Sequence, residues 1–353
     1  MSLLQALRPT LPILIGASMM LTLSMGLRQS FGIFMQPLTH DIGISVSQFT
    51  LALAVQNLAW GFLQPVAGAL SVRYGFRPIM IMGSLMYIVG LALMATAQGM
   101  IPILIGAGIL IGTSLACTAN AIAMSVSARA VPATVRSTVM GIVSAAGSLG
   151  ALMAAPIGQM LNEGFGWRIG VAGFVLLSLF MLPAAWYAGR ADKIPLPPKA
   201  AEDIGDTSAV TAAKIAFGNA PFVVMTLAYF VCGMQLVFLT THLPSYLLIC
   251  GLDPMLSAQT LGMIGGFNVI GSLFFGWAGQ RYNKLALLGG IYILRSLALA
   301  WYFMLPATPA TTLLFGAIMG FLWMGVGPLV AGDEVSVSVE GIGSISNAVV
   351  DGN

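Results

Sequence analysis

Apolar residues in this chain are grouped in long, nearly unbroken runs, and polar residues are confined to the short stretches between them. Each run is about 20 residues or longer, enough for a helix to cross the ~30 Å hydrocarbon core of a bilayer. Ten are visible: 11–36, 48–71, 78–97, 101–126, 133–161, 168–189, 220–248, 256–279, 285–305 and 311–331. The first is too long for the apolar region of a secretion signal and no small-residue cleavage site follows it, so it reads as a retained helix. The pattern predicts an all-α polytopic membrane protein.

Composition agrees. Only 14 residues are Lys or Arg and 11 are Asp or Glu, or 7% of 353 residues, where a soluble domain carries roughly 25%. The mean hydropathy is +0.95. A formal charge of +3 is too small an excess to suggest a nucleic-acid partner. Cation placement accounts for it through the rule that cytoplasmic loops are basic. With the N-terminus cytoplasmic, the inside receives Arg8, Arg73, Arg77, Arg129, Arg136, Arg190, Lys193, Lys199, Lys214, Arg281 and Lys284, and the outside only Arg168. This orientation predicts a multi-pass protein of the cell inner membrane. Arg28 and Arg295 remain within runs, and no carboxylate does. Cys117, Cys232 and Cys250 lack pairing or metal spacing and read as packing residues. The absence of a nucleotide-binding loop, metal motif or hydrolase motif argues against an enzyme and against ATP coupling.

The polar stretch 190–219, with Pro195, Pro197 and Pro198, reads as a cytoplasmic linker between two helical halves. Across that linker the segment GALSVRY at 68–74 recurs as GWAGQRY at 276–282, which sets Arg281 208 residues after Arg73. A parallel repeat of helical halves is an architecture of secondary transporters. The segment GALSVRYGFR at 68–77 resembles the loop signature of the major facilitator superfamily, placed between its second and third helices and again, degenerate, between its eighth and ninth. The strings RQSFGIF, QNLAWGFLQPVAGAL, AAGSLGALMAAPIGQ, THLPSYL, IYILRSLALA and GFLWMGVGPLVAG are similar to the bacterial branch of that superfamily related to monocarboxylate porters and the oxalate/formate antiporter. The resemblance implies two six-helix halves and transport by alternating access, with the first, fourth, seventh and tenth helices lining the cavity.

On that frame, residues 1–189 form the N-terminal six-helix half and 220–332 a C-terminal half of about four helices, followed by an atypical polar tail at 333–353. The repeat places the last span of a full second half near residue 396, so helices eleven and twelve are expected to be missing and the product truncated; a natural ten-helix protein is the alternative. The loop is expected to act as a cytoplasmic latch. Gly68 would allow close helix approach, Gly75 a tight turn, and Arg73 and Arg77 would reach helix C-termini or neighbouring acids, with Arg281 in the second copy. Where the family carries an acid, this chain has Val72 and Gln280, which weakens a charge-relay latch.

Arg28 lies deep in the first run, where an arginine costs at least ~2.5 kcal/mol and faces a partner or a hydrated cavity. Without an intramembrane acid, the options are carbonyls, polar side chains, water, or a substrate anion matching the guanidinium fork. Arg295, mid-way along the ninth run, invites the same argument, although the resemblance implies a flanking helix. Asn120, His242 and Asn268 are further candidates for a hydrated path, against the alternative of interhelical hydrogen bonding. The predicted function is secondary transport of small organic anions, mono- or dicarboxylates. Export of hydrophobic or neutral compounds, or a nonfunctional truncated product, are the other readings. Partners would be a small anionic solute and the lipid bilayer, with the protein a monomer needing no cofactor. Coupling by uniport or antiport fits an acid-free interior better than proton symport, since only His40 and His242 titrate near neutrality.

Overall fold

The computed structural model describes residues 8–194, 217–218, 220–278, 281–323, 336–339 and 343–346. It is an all-α polytopic membrane protein apart from one antiparallel hairpin, Ser336–Val339 against Gly343–Ser346. Helix order follows the predicted runs. The first span covers Leu11–Ile42 and includes a 3-10 turn at Phe31–Phe34. Val46–Tyr74, Phe76–Ala95, Met100–Ala130, Ala133–Phe165 and Trp167–Lys193 are the second to sixth spans. Ala220–Ile249, Pro254–Ala278, Lys284–Met304 and Pro309–Trp323 are the seventh to tenth spans.

Eight helices among the described residues are long and apolar enough to cross a membrane, and Pro309–Trp323 is a shorter apolar helix. Val46–Tyr74 is not in that group, despite its 29 residues. Gln56, Asn57 and Gln64 dilute its hydropathy, and two of these turn out to face Arg28. The turn Gly189–Lys193 carries the sixth span past the predicted start of the linker. Most of the remaining linker, most of the polar tail and the final residues of the predicted tenth run lie outside the described residues.

Local chemistry explains the helix boundaries. Ser45 and Gln48 form a capping box at the start of the second span: the Gln48 N–H donates to Ser45 Oγ and the Ser45 N–H to Gln48 Oε1. Gly75 ends that span at φ 94°, a left-handed geometry a side chain would resist. The fourth span is irregular in two places. Leu104–Leu110 is π-helical, and the chain breaks direction at Ala119, whose backbone is extended. The π-helical segment packs against the second and third spans, Gly108 on Ala52 and Gly106 on Gly90.

Small residues decide which helices touch. A Cβ on Gly112 would lie 2.6 Å from the Gln56 carbonyl oxygen, and one on Gly108 would lie 3.1 Å from that of Ala52, so the second and fourth spans meet backbone to backbone. Gly150 brings the fifth span equally close to Thr22 of the first. Gly147 packs on Leu21, and Gly158 on Ile33 and Phe174, so much of the fifth span's small-residue face closes the N-terminal half on itself. Contact with the C-terminal half runs along Ser148, Ala151 and Leu152, against which Gly262 and Gly265 of the eighth span fit. Large apolar side chains such as Phe62, Met160, Leu176, Phe230 and Leu297 point outward. In a bilayer that surface meets lipid rather than water.

Candidate functional site between the two halves

Arg28 is the organising residue. It is 7% exposed and sits in the last turn of Leu11–Gln29, directly opposite the polar stretch of the second span. Its Nε donates to Gln56 Oε1 at 3.2 Å and its Nη2 to Asn57 Oδ1. The guanidinium carbon lies 4.9 Å from the centre of the Trp60 ring, an added attraction for a desolvated cation. Gln56 in turn donates its Nε2–H to the Ala107 carbonyl at 2.6 Å, and Asn57 donates to the Leu53 carbonyl at 2.6 Å. Arg28 is therefore held by neutral amides, each of which also donates an N–H to a backbone carbonyl. Among the described residues the one salt bridge, Arg168 to Asp41 at 3.4 Å, joins the end of the first span to the start of the sixth and does not involve Arg28. The Arg28 charge has no counter-ion there.

A cavity of about 10 Å³ opens beside the guanidinium, about the room one water needs. Leu53, Gln56 and Asn57 wall it on one side; Val237, Thr240 and Thr241 of the seventh span wall it on the other. It thus lies between the halves. Further along the same helices a larger vestibule of about 720 Å³ is lined by Gln36, His40, Gln159 and Glu163 from the first half and by Pro244 and Ser257 from the second. Separating the two is a backbone junction. Gly32 abuts the seventh span so tightly that a Cβ there would clash with the Thr240 carbonyl oxygen. Pro244 accounts for the exposure of that oxygen, since a proline four residues on cannot donate the helical N–H that would cover it.

Arg295 is also buried, at 0% exposure, but in different company. Its Nη1 lies 3.2 Å from Cys232 Sγ, and Tyr292 and Trp323 stand 5.7 and 5.8 Å from its guanidinium carbon. Its Nε and Nη2 have no hydrogen-bond partner among the described residues. It lines neither cavity. The remaining candidates are dispersed. Asn268 donates to Ser148 Oγ at 2.8 Å across the interface of the halves. His242 packs on Phe238, ring centres 5.4 Å apart, and borders neither cavity. Asn120 is half-buried at the restart of the fourth span after Ala119. Cys117, one turn before it, packs where Gly83 of the third span leaves room. Cys117 and Cys232 are buried free thiols, while Cys250 is exposed.

Comparison with known proteins now bears on this arrangement. The sequence model of the Major Facilitator Superfamily matches residues 15–343. The chain belongs to that superfamily. Monocarboxylate transporter 11 of Homo sapiens is 28% identical over 88% of this chain and 61% of its own length. Monocarboxylate transporter 13 of Bos taurus is 24% identical over 72% of the chain and 58% of its length. The Fujikurins efflux protein of Gibberella fujikuroi is 25% identical over 78% and 57%. The matches to the first relatives found span between about a third and three fifths of those proteins, from 32% to 58%. Among solved structures, a D-xylose–proton symporter superposes with a TM-score of 0.61 at 15% identity, covering 89% of this chain and 80% of that one. That likeness establishes the superfamily fold. The relatives are transporters and none is an enzyme by name.

Within the superfamily fold the loop at 68–77 is built differently from the expected latch. Gly68 lies within the second span, its carbonyl accepting from Ser71 Oγ at 2.8 Å. Arg73 stays on its neighbour Tyr74, 5.3 Å from ring centre to guanidinium carbon, and Arg77 covers Trp186 at 4.5 Å. In the second copy Arg281 repeats the local pattern, 4.7 Å from the Trp277 ring. The acid comes from the end of the sixth span. Asp192 accepts from the Phe76 N–H at 2.7 Å and the Arg77 N–H at 3.0 Å, capping the third span where its dipole is positive. Arg129 donates to the Ile194 and Asp192 carbonyls, tying the fourth span to the same corner. A Cβ on Gly75 would lie 2.8 Å from Asp192 Oδ2, so glycine is required there for space as well as for its φ. Sequence reasoning missed Asp192 and Gln56. The signals were present: an acid just after the sixth run, and adjacent amides Gln56-Asn57 at the depth of Arg28.

Proposed function

We propose that this chain is a secondary transporter of small organic anions, mono- or dicarboxylates, that binds the carboxylate at Arg28 and works by alternating access. The observation that carries the reading is a buried guanidinium, held by neutral amides and facing a cavity between the halves. A carboxylate would supply the missing charge and meet the guanidinium fork in a two-point hydrogen bond, the geometry that favours arginine over lysine. The cavity beside Arg28 holds about one water, so binding requires the Val237–Thr241 wall to move off Arg28, and the large vestibule supplies the approach from one side. The names of the monocarboxylate transporters similar to this chain support the same substrate class. Uniport or anion exchange suits an interior whose Arg28 has no carboxylate partner among the described residues. Basic residues gather at the Arg73, Arg77, Arg129 and Arg190 end of the spans, which supports a cytoplasmic N-terminus in the cell inner membrane, with the chain acting as a monomer.

Uptake of a radiolabelled carboxylate panel into proteoliposomes tests the proposal. Saturable uptake of carboxylates, absent for neutral esters of the same acids and lost in Arg28→Gln, is the expected result. Equal transport of acids and esters would point instead to a carrier of neutral compounds, a reading to which the similarity to a fungal efflux protein lends support.

A further inference from the structure

The amide of Gln56 is committed at both ends. It is 1% exposed, its Oε1 accepts from Arg28 Nε at 3.2 Å, and its Nε2 donates to the Ala107 carbonyl at 2.6 Å. Only a group that accepts at one end and donates at the other satisfies both neighbours. The Ala107 carbonyl comes from the π-helical segment Leu104–Leu110, brought within reach because Gly108 and Gly112 let the two backbones meet. A carboxylate at position 56 would aim an acceptor at that carbonyl while neutralising Arg28. Asn57 is arranged in the same way, its Oδ1 toward Arg28 and its Nδ2 on the Leu53 carbonyl.

We propose that Gln56 is a specificity-determining residue of the Arg28 pocket: it orients the guanidinium through a neutral amide locked by Ala107, and so keeps the site's positive charge free for an anion. The proposal rests on the anion reading above. Its content is that charge selectivity is set by the second span and the π-helical segment, not by Arg28 alone. A residue of the same shape carrying a negative charge supplies Arg28 with a permanent counter-ion. The pocket then has no net charge to offer, and an anionic solute loses its advantage over a neutral one. Removing the amide without adding charge loosens the guanidinium but leaves its charge available.

The test is equilibrium dialysis of the purified full chain in lipid nanodiscs against radiolabelled pyruvate and, in parallel, radiolabelled methyl pyruvate. The parent protein is expected to prefer pyruvate by at least about tenfold, the ratio of one charge-assisted hydrogen bond gained or lost. In Gln56→Glu the pyruvate dissociation constant rises at least about tenfold while that of methyl pyruvate stays within about twofold, so the preference collapses. Gln56→Met weakens pyruvate binding by a few-fold and keeps the preference. Asn57→Asp follows Gln56→Glu, and decides the matter if Gln56→Glu does not give a monodisperse protein. A folded Gln56→Glu that retains the parent's preference overturns the proposal, as does a Gln56→Met that loses it as completely. Failure of the underlying anion reading shows separately, as no preference in the parent protein.

Discussion

Among the described residues two arginines lie buried, each near a tryptophan ring, and they differ in their hydrogen-bond partners and in the space beside them. Arg28 is held by Gln56 and Asn57, borders a cavity, and looks across to the opposite half. Arg295 touches a thiol and two aromatic rings, borders neither cavity, and leaves Nε and Nη2 without a partner among the described residues. A charged side chain in a bilayer is costly in both places. The contrast teaches that depth alone does not mark a ligand site. What marks it is a partner set that fixes the side chain's direction, spares its charge and leaves room for an incoming group.

Replacing each arginine is the strongest way to break that comparison. Arg28→Gln should lower carboxylate uptake by at least about 30-fold, since truncating one partner of a buried charge pair costs roughly 2–5 kcal/mol. Arg295→Gln should leave uptake within about threefold of the parent. Equal losses would mean that both arginines serve the same solute. The junction above Arg28 gives a second test. Gly32→Val forces a side chain into the Thr240 carbonyl, and overpacking of this kind costs about 1–3 kcal/mol; a lower melting temperature in detergent and reduced transport are expected. Gly61→Ala, on the same polar second span but with nothing within 4 Å of an added Cβ, should change neither.

Smaller effects sharpen the contrast between binding and scaffolding. Asp192→Ala removes the cap on the third span, worth about 1 kcal/mol; it should lower the melting temperature without altering the preference for anions over neutral esters. A changed preference would draw the Asp192 corner into the site. A small shift is also expected for Arg295→Met. Replacing an incompletely paired buried charge with an apolar side chain of similar length is often neutral or mildly stabilising, and a melting temperature equal to or above the parent's is expected. A large drop would show that Arg295 is paired in the folded protein.

Much of the fold was legible before any coordinates. Apolar runs and alternating cations predicted the spans, their order and the shared ends, because insertion into a bilayer is governed by length, hydropathy and charge. Arg28 stood out for the same reason. The second span was legible as a helix, but that Gln56 and Asn57 on it turn toward Arg28 was not. The latch was read from Arg73 and Arg77, yet Asp192, 115 residues beyond Arg77, supplies the acid.

The sequence by itself determined a helical membrane protein with two buried arginines and no intramembrane carboxylate, since those properties depend on composition along a segment. Only the tertiary structure decided that Arg28 meets Gln56 and Asn57, that Gln56 reaches Ala107, and that Gly32 closes against Thr240. A helix surrounded by apolar solvent can be apolar on every face, so hydrophobic periodicity does not report which face turns inward. That information resides in small residues such as Gly32, Gly108 and Gly112, whose meaning appears only when another backbone is packed against them.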